Sequence, residues 1–309
     1  MKNITTLVIV ALLTTLHLSA QTFEEWANLD DKKFEKTAAE VIHNTFEVKK
    51  FALSDEDLPK FEKIGLLSFS VFDPASFEKT NLYSYQSITM SQLGGIYLID
   101  AIFKKTYFPM NDRVHQNHDV YILLPDNYND TDQKKKIYED TEFEISGLFK
   151  ATAAAEKKIR GGLLPDVKVD IPGLKRVGYA NADPKIWRAV GKLAGELDLD
   201  AFLIIENYFT SDKKGTYLTA VTMTLIGPNP VPYREENEKK FAPIGPLKGY
   251  LEGLVLGSIR MEPPKEAIKV ITYTDGMGGI NIDGMDLFYS RMVDYLLTDT
   301  KEAFDEIRK

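Results

Sequence analysis

His115 and His118 stand three residues apart in RVHQNHDVYILL, with Asp112 and Asp119 beside them. Imidazoles and carboxylates are zinc donors, but a metal-binding pair on a helix is usually four residues apart, with both rings aimed at one ion. This segment reads as a loop entering a strand, where a spacing of three turns the rings to opposite sides. Two surface histidines and no metal are therefore expected. A second group, Glu196, Asp198 and Asp200 in GELDLD, holds the carboxylates a hydrolytic dyad needs. Such a dyad faces one cleft with its carboxyls roughly 5–9.5 Å apart. These acids instead precede the strand AFLIIENYF, whereas ligands of open α/β sheets gather at the carboxyl ends of strands. A polar helix-to-strand turn is the expectation. The loop TDGMGGINIDG, with Gly276, Gly278, Gly279 and Gly284, lies before the last helix, where backbone amides can cradle an anion. No Lys-Ser/Thr follows the glycines, and Asp275 and Asp283 oppose an anion. The loop reads as a tight connection with glycines at positive φ and Asp283 capping the helix. Tyr83, Tyr85 and Tyr97 offer stacking surfaces for sugar or protein, although aromatics at such positions ordinarily fill core and edge strands.

Composition removes further chemistry. The chain has 309 residues and no cysteine, which excludes disulfides, thiolate metal sites and a cysteine nucleophile. No Gly-x-Ser-x-Gly elbow is present, so the usual α/β-hydrolase nucleophile is missing. A net charge of −8, with no concentrated basic run, opposes a nucleic-acid partner. No catalytic residue, metal ligand or cofactor is assigned from these patterns.

The opening MKNITTLVIVALLTTLHLSAQTFEEW has a positive residue, an apolar run from Leu7 to Leu16 and a small residue at Ala20. That is the three-part form of a secretory signal peptide over residues 1–20, cleaved before Gln21. The run is short for a bilayer span of roughly 20 residues, so no transmembrane segment is expected in the mature chain. The leader carries one lysine and no acid, which leaves the mature chain at −9. Residues 21–309 read as one secreted domain, periplasmic or extracellular.

The elements that position these groups follow from periodicity. Asp30 and Asp31 cap an expected helix with Phe34, Ala38, Val41, Ile42, Thr45 and Phe46 at helical spacing. Ile64–Phe72 reads as a buried strand, Met90–Phe103 as a helix despite Gly94 and Gly95, and Asp119–Pro125 as a strand. A charged helix is expected from the NYNDTDQKKKIYED segment towards Arg160, with a break near Gly147. The sharpest element begins with Asp183 as N-cap and Pro184 at the first helical position, and presents Ile186, Val190, Leu193 and Leu197 on one face. It leads into Ala201–Phe209, apolar on both faces and hence central, and then into the alternating strand Tyr217–Gly227. Strands near Gly249–Met261 and Ile268–Thr274 precede a closing helix striped with Met285, Phe288, Met292, Tyr295, Leu296, Phe304 and Ile307. The fold class is α/β: three layers, with helices on both faces of a mixed parallel and antiparallel sheet.

The order strand, helices, GKLAGELDLDAFLIIENYF and a second strand ending in Gly-Pro resembles the α/β domain of the curli secretion channel family (CsgG-like). That domain is shared in outline by the N-terminal domain of the Tol-Pal translocation protein. Leu197, Asp198, Leu199, Asp200 and Ala201 hold the places of a leucine, glycine, aspartate, alanine pattern, with Asp198 where glycine is common. The likeness covers about residues 62–227. The lipid-bearing cysteine is absent and no pair of lipid-facing hairpins can be read, so the resemblance implies a fold and an envelope setting rather than a pore.

Taken together, these readings favour a non-enzymatic envelope protein of binding or assembly type, with a protein partner or a second copy as its ligand. The alternative is a glycan or peptide hydrolase with a dispersed carboxylate site. Phe304 and Ile307, at the far end of the long closing stripe, are the expected partner-docking residues, projecting beyond the sheet.

Overall fold

A run of apolar residues able to bury both of its faces belongs in the middle of a sheet, and the computed structural model puts it there. It describes residues 23–42, 58–71, 85–148, 171–211, 215–229, 252–262, 268–274 and 277–308. The strands are β1 (Ala38–Ile42), β2 (Lys63–Val71), β3 (Tyr121–Leu123), β4 (Ala201–Ser211), β5 (Gly215–Pro228), β6 (Gly253–Met261), β7 (Ile268–Thr274) and β8 (Met277–Ile280). The helices are α1 (Phe23–Ala27), α2 (Asp31–Glu35), α3 (Tyr85–His118), α4 (Pro125–Tyr128), α5 (Asp132–Asp140), α6 (Pro184–Glu196) and α7 (Met285–Arg308). One mixed sheet runs β1-β6-β5-β4-β2-β3. Its β4-β2-β3 part is parallel and its β4-β5-β6-β1 part antiparallel. β5 is long enough to pair along one edge with β6 from Val221 to Pro228 and with β7 from Gly215 to Leu218.

Each face carries its own core. On one side α1, α3 and α7 bury Trp26, Ile102, Phe288 and Met292 against Leu203, Ile205 and Met223. On the other, α6 buries Ile186, Val190, Leu193 and Leu197 over Phe202, Ile204, Ile226 and Val255. The three-layer α/β class expected from the pattern is the observed one.

α6 begins as its sequence requires. The Asp183 carboxylate accepts the Lys185 N–H at 3.0 Å and the Ser146 N–H at 2.6 Å, and Pro184 opens the helix. The helix lies so close to the sheet that only glycine fits between them. A Cβ on Gly253 would stand 1.8 Å from the Trp187 carbonyl oxygen, and one on Gly191 would stand 2.2 Å from the Gly253 Cα.

Several local expectations give way to tertiary pairing. The helix from Asp31 stops at Glu35, and Ala38–Ile42 instead forms β1 along the edge of β6; Thr45 and Phe46 lie outside the described residues. Small and β-branched side chains recurring at helical spacing also suit a strand, and the ladder offered by Ser258–Met261 decides between the two. The helix expected over Met90–Phe103 runs from Tyr85 to His118, through Pro109, because Ile102, Thr106, Met110 and Val114 keep a continuous buried face beyond it. The helix expected towards Arg160 ends at Asp140, and residues 149–170 lie outside the described residues. The strand at Asp119–Pro125 shortens to three residues.

Filling the glycine contact tests its weight. Gly253→Ala should lower stability by about 3 kcal/mol, the upper end for overpacking, because the clash is with backbone that cannot rotate away. Gly147→Ala, with open space around it, should change stability by less than about 0.5 kcal/mol; denaturant unfolding of the two variants measures both.

Candidate functional site

β4 carries two adjacent polar residues, Glu206 and Asn207, directly after the apolar run Ala201–Ile205, and both are buried. Strand alternation sends them to opposite faces. Asn207 turns towards α7: its Nδ2 donates to the Ser70 carbonyl at 3.0 Å, and its Oδ1 accepts the Tyr289 hydroxyl in a short hydrogen bond. Every polar atom of that amide side chain has a use.

Glu206 turns to the α6 face and joins a row that crosses the sheet. The register Ser70–Glu206–Thr222–Arg260 places four polar residues side by side on β2, β4, β5 and β6. Next to it lie Ser68, Thr224 and Ser258, the last two hydrogen-bonded at 2.9 Å. The Arg260 guanidinium sits 4.3 Å from the Tyr208 ring centroid and donates to Glu262 Oε1 at 2.8 Å. The segment before α6 covers this floor, where the Tyr179 N–H donates to Glu206 Oε1 at 3.0 Å and the Val177 N–H to Ser68 Oγ at 3.4 Å. Glu206 Oε2 has no hydrogen-bond partner among the described residues. Burial raises the carboxyl to about 8, despite the amides of Tyr179 and Ala180 and the charge of Arg260, which pull the other way. At neutral pH it is thus mainly a neutral acid near the carboxyl end of the parallel strands, the side on which open α/β sheets take ligands.

The groups singled out in the sequence lie elsewhere. Asp198 and Asp200 flank a shallow depression of about 270 Å³ at the amino ends of β2 and β4, lined also by Glu62, Lys63, Gly195 and Leu199. Asp200 Oδ2 accepts the backbone N–H groups of Glu62 and Lys63 at 2.8 and 2.9 Å, so it clamps the start of β2 to the start of β4. Asp198 pairs with Lys63 Nζ at 2.6 Å and has φ +59°, a conformation glycine adopts freely. The polar helix-to-strand turn expected here is what forms.

The histidines end α3 rather than beginning a strand. His118 is no surface residue: it packs between α3 and α7 with Nε2 3.0 Å from Asp294 Oδ1, an oxygen that also takes Asn117 Nδ2 at 2.9 Å, while Arg113 Nε donates to Oδ2 at 2.8 Å. Burial alone would raise the Asp294 carboxyl, but these donors outweigh it and hold it at about 2. His115 instead stacks on Tyr121, ring centroids 3.9 Å apart. Among the described residues no three His, Asp or Glu side chains gather as a metal site requires. Part of the glycine loop is a strand: Met277–Ile280 pairs with β7, while Gly284 takes φ +79° against the backbone of Glu24. Asp283 pairs with Lys105 at 3.3 Å. Tyr83 lies outside the described residues.

The docking assignment at the C-terminal end is corrected. Phe304 is fully buried, its ring in edge contact with Phe61 at 5.6 Å, and Ile307 packs on the same core. Phe61, at φ +56°, brings the segment before β2 under the last turns of α7, so the stripe that outruns the sheet is covered by the chain itself.

Glu206 belongs to no sequence motif, because it stands as the lone acid in a strand read as central. The available signal was a single acid inside AFLIIENYF, a position at which an unpaired charge is costly. None of the family models, curated proteins or solved structures compared with the chain matches it. Among the described residues no helix is long and apolar enough to cross a membrane.

Two substitutions test the correction at α7. Phe304→Asp and Met292→Asp should both abolish cooperative thermal unfolding or lower stability by more than about 3 kcal/mol, since each places an unpaired charge in the core. A melting temperature for Phe304→Asp close to that of the parent chain would contradict the packing against Phe61. At the other end, Asp200→Ala should cost about 0.5–1.5 kcal/mol by removing the acceptor of the solvent-accessible Glu62 and Lys63 amides, read from denaturant midpoints.

Proposed function

We propose that the chain is a secreted protein of the cell envelope that binds or assembles with a protein partner and performs no catalysis. The observation that carries this reading is the employment of its acids. Asp200 holds the Glu62 and Lys63 amides, Asp198 holds the Lys63 ammonium, and Asp294 holds Arg113, Asn117 and His118. Each of these carboxylates is engaged in joining elements of the fold. Glu206, the carboxyl held as a neutral acid, has Ser70, Thr222 and Arg260 across the sheet from it in place of the second carboxylate that a two-acid hydrolytic site would need.

The envelope setting rests on the leader pattern at residues 1–20 and on the resemblance to the curli secretion channel and Tol-Pal domains. The left-handed backbone at Asp198 supports that resemblance, because it gives a physical reason for glycine at the corresponding place. Fold alone does not establish a role, so the reading stands on the leader and the acids together.

Expression of the full chain with in-cell cross-linking tests it. The expected result is a protein beginning at Gln21, recovered from the envelope or medium as one discrete cross-linked adduct, with no turnover of glycan or peptide panels. Turnover abolished by Glu206→Gln in a variant that keeps its fold would establish the hydrolase alternative instead.

A further inference from the structure

We propose that Glu206 is a proton-operated latch for the segment 174–183, holding it on the sheet when neutral and releasing it when ionised. The segment leads directly into α6, with Val177 and Ala180 buried in the core beneath that helix, and hydrogen bonds hold it on the sheet. Lys175 N–H donates to the Leu67 carbonyl at 2.8 Å, Val177 N–H to Ser68 Oγ at 3.4 Å, and Tyr179 N–H to Glu206 Oε1 at 3.0 Å; the Trp187 indole N–H donates to the Ala180 carbonyl at 2.7 Å. Tyr179 itself sits at φ +58°, which a bulky side chain adopts only when its surroundings enforce it. One contact that holds it there ends on a carboxyl group only 1 % exposed, one of whose oxygens has no partner among the described residues.

The surroundings fix the direction of the response. On β6, Arg260 is the cation facing Glu206, and it is shared with Glu262, Thr222 and the Tyr208 ring. On β4 the neighbouring ionisable group is the Tyr208 phenol, itself pushed above its usual range by burial and by Glu206. β2 and β5 contribute the neutral Ser70 and Thr222 at the register positions on either side, and Glu40 of β1 holds the position opposite Arg260. On the covering segment Lys175 Nζ donates to the Glu139 and Thr141 carbonyls at 3.1 and 3.0 Å and Asp183 caps α6, while the half-buried Arg176 is not among the charges that act on the Glu206 carboxyl. Ionisation therefore leaves a buried charge with incomplete pairing, and opening the segment lets water reach it.

The sign follows by linkage. The closed form binds the proton more tightly than an open, hydrated form, whose carboxyl titrates near its ordinary value of 4.5 rather than at about 8. Closure is fully favoured below about 4.5, weakens as pH rises through the interval and stops changing above about 8.

Amide hydrogen exchange of the full mature chain, corrected for the intrinsic base-catalysed rate, tests the latch. The opening constant at Tyr179 and Ala180 should rise roughly tenfold per pH unit between about 5 and 8 and then level off. Amides of Phe202–Ile205 should stay at least about tenfold more protected, and the Trp187 indole N–H signal should change over the same pH interval. Glu206→Gln should give a flat profile. Arg260→Gln should shift the plateau to higher pH, because the charge that holds the carboxyl down is gone. A flat wild-type profile, the same slope in Glu206→Gln, or protection at Tyr179 equal to that of β4 overturns the proposal. Should Glu206→Gln fail to fold, an Arg260→Gln profile whose plateau does not move overturns it as well.

Discussion

The near-contact between α6 and the β5–β6 pair sets the dimensions of half the molecule. Gly191 on the helix, Gly227 on β5 and Gly253 on β6 meet where no side chain fits, with the Trp187 carbonyl against Gly253 and the Gly227 position closed by the Asp200 carbonyl. Backbone packed on backbone leaves no rotamer to adjust, so the height of α6 above the sheet is fixed by van der Waals contact between backbone atoms. From that height follow the burial of Val190 and Leu193, the position of Asp183 at the helix start, and the path of the segment that must cross the sheet to reach it.

That path runs over the least apolar part of the sheet. Towards the amino end of β4 the α6 face is Phe202 and Ile204, covered by the helix; further along it becomes Glu206 with Ser70, Thr222 and Arg260. The helix ends its apolar coverage where the polar row begins, and backbone amides of the preceding segment take over. The contrast with Asn207 is instructive. Both side chains are buried, but the amide finds a donor and an acceptor in Tyr289 and Ser70, while the acid receives donors on one oxygen only. A satisfied buried amide adds rigidity; a half-satisfied buried acid makes its surroundings depend on a proton.

The two ends of the parallel strands have accordingly become different things. At the amino end, Asp200 and Asp198 tie the starts of β2 and β4 together through backbone amides and Lys63, leaving a shallow and fully engaged turn. Towards the carboxyl end lie a neutral acid, a shared guanidinium and hydroxyl groups under a segment with a strained residue. The helices of the other face are joined through Asp294, whose donors come from three positions on α3.

What the sequence determined by itself was everything governed by contacts close along the chain. The Asp183-Pro184 start of α6, its apolar face, the unbroken run of β4, its antiparallel partner β5 and the closing helix were all legible, since capping and periodicity act over a few residues. The layered α/β class followed from their order. Only the tertiary structure decided that Ala38–Ile42 is a strand, because β6 supplies the ladder from more than two hundred residues away. It likewise decided that α3 continues through Pro109 under the cover of α7, that His118 serves Asp294 and that Phe304 is enclosed by Phe61. The candidate site belongs to the same class. Glu206 stood in plain view in β4, but its neighbours come from β2, β5, β6 and the approach to α6, and no local rule brings those five segments together.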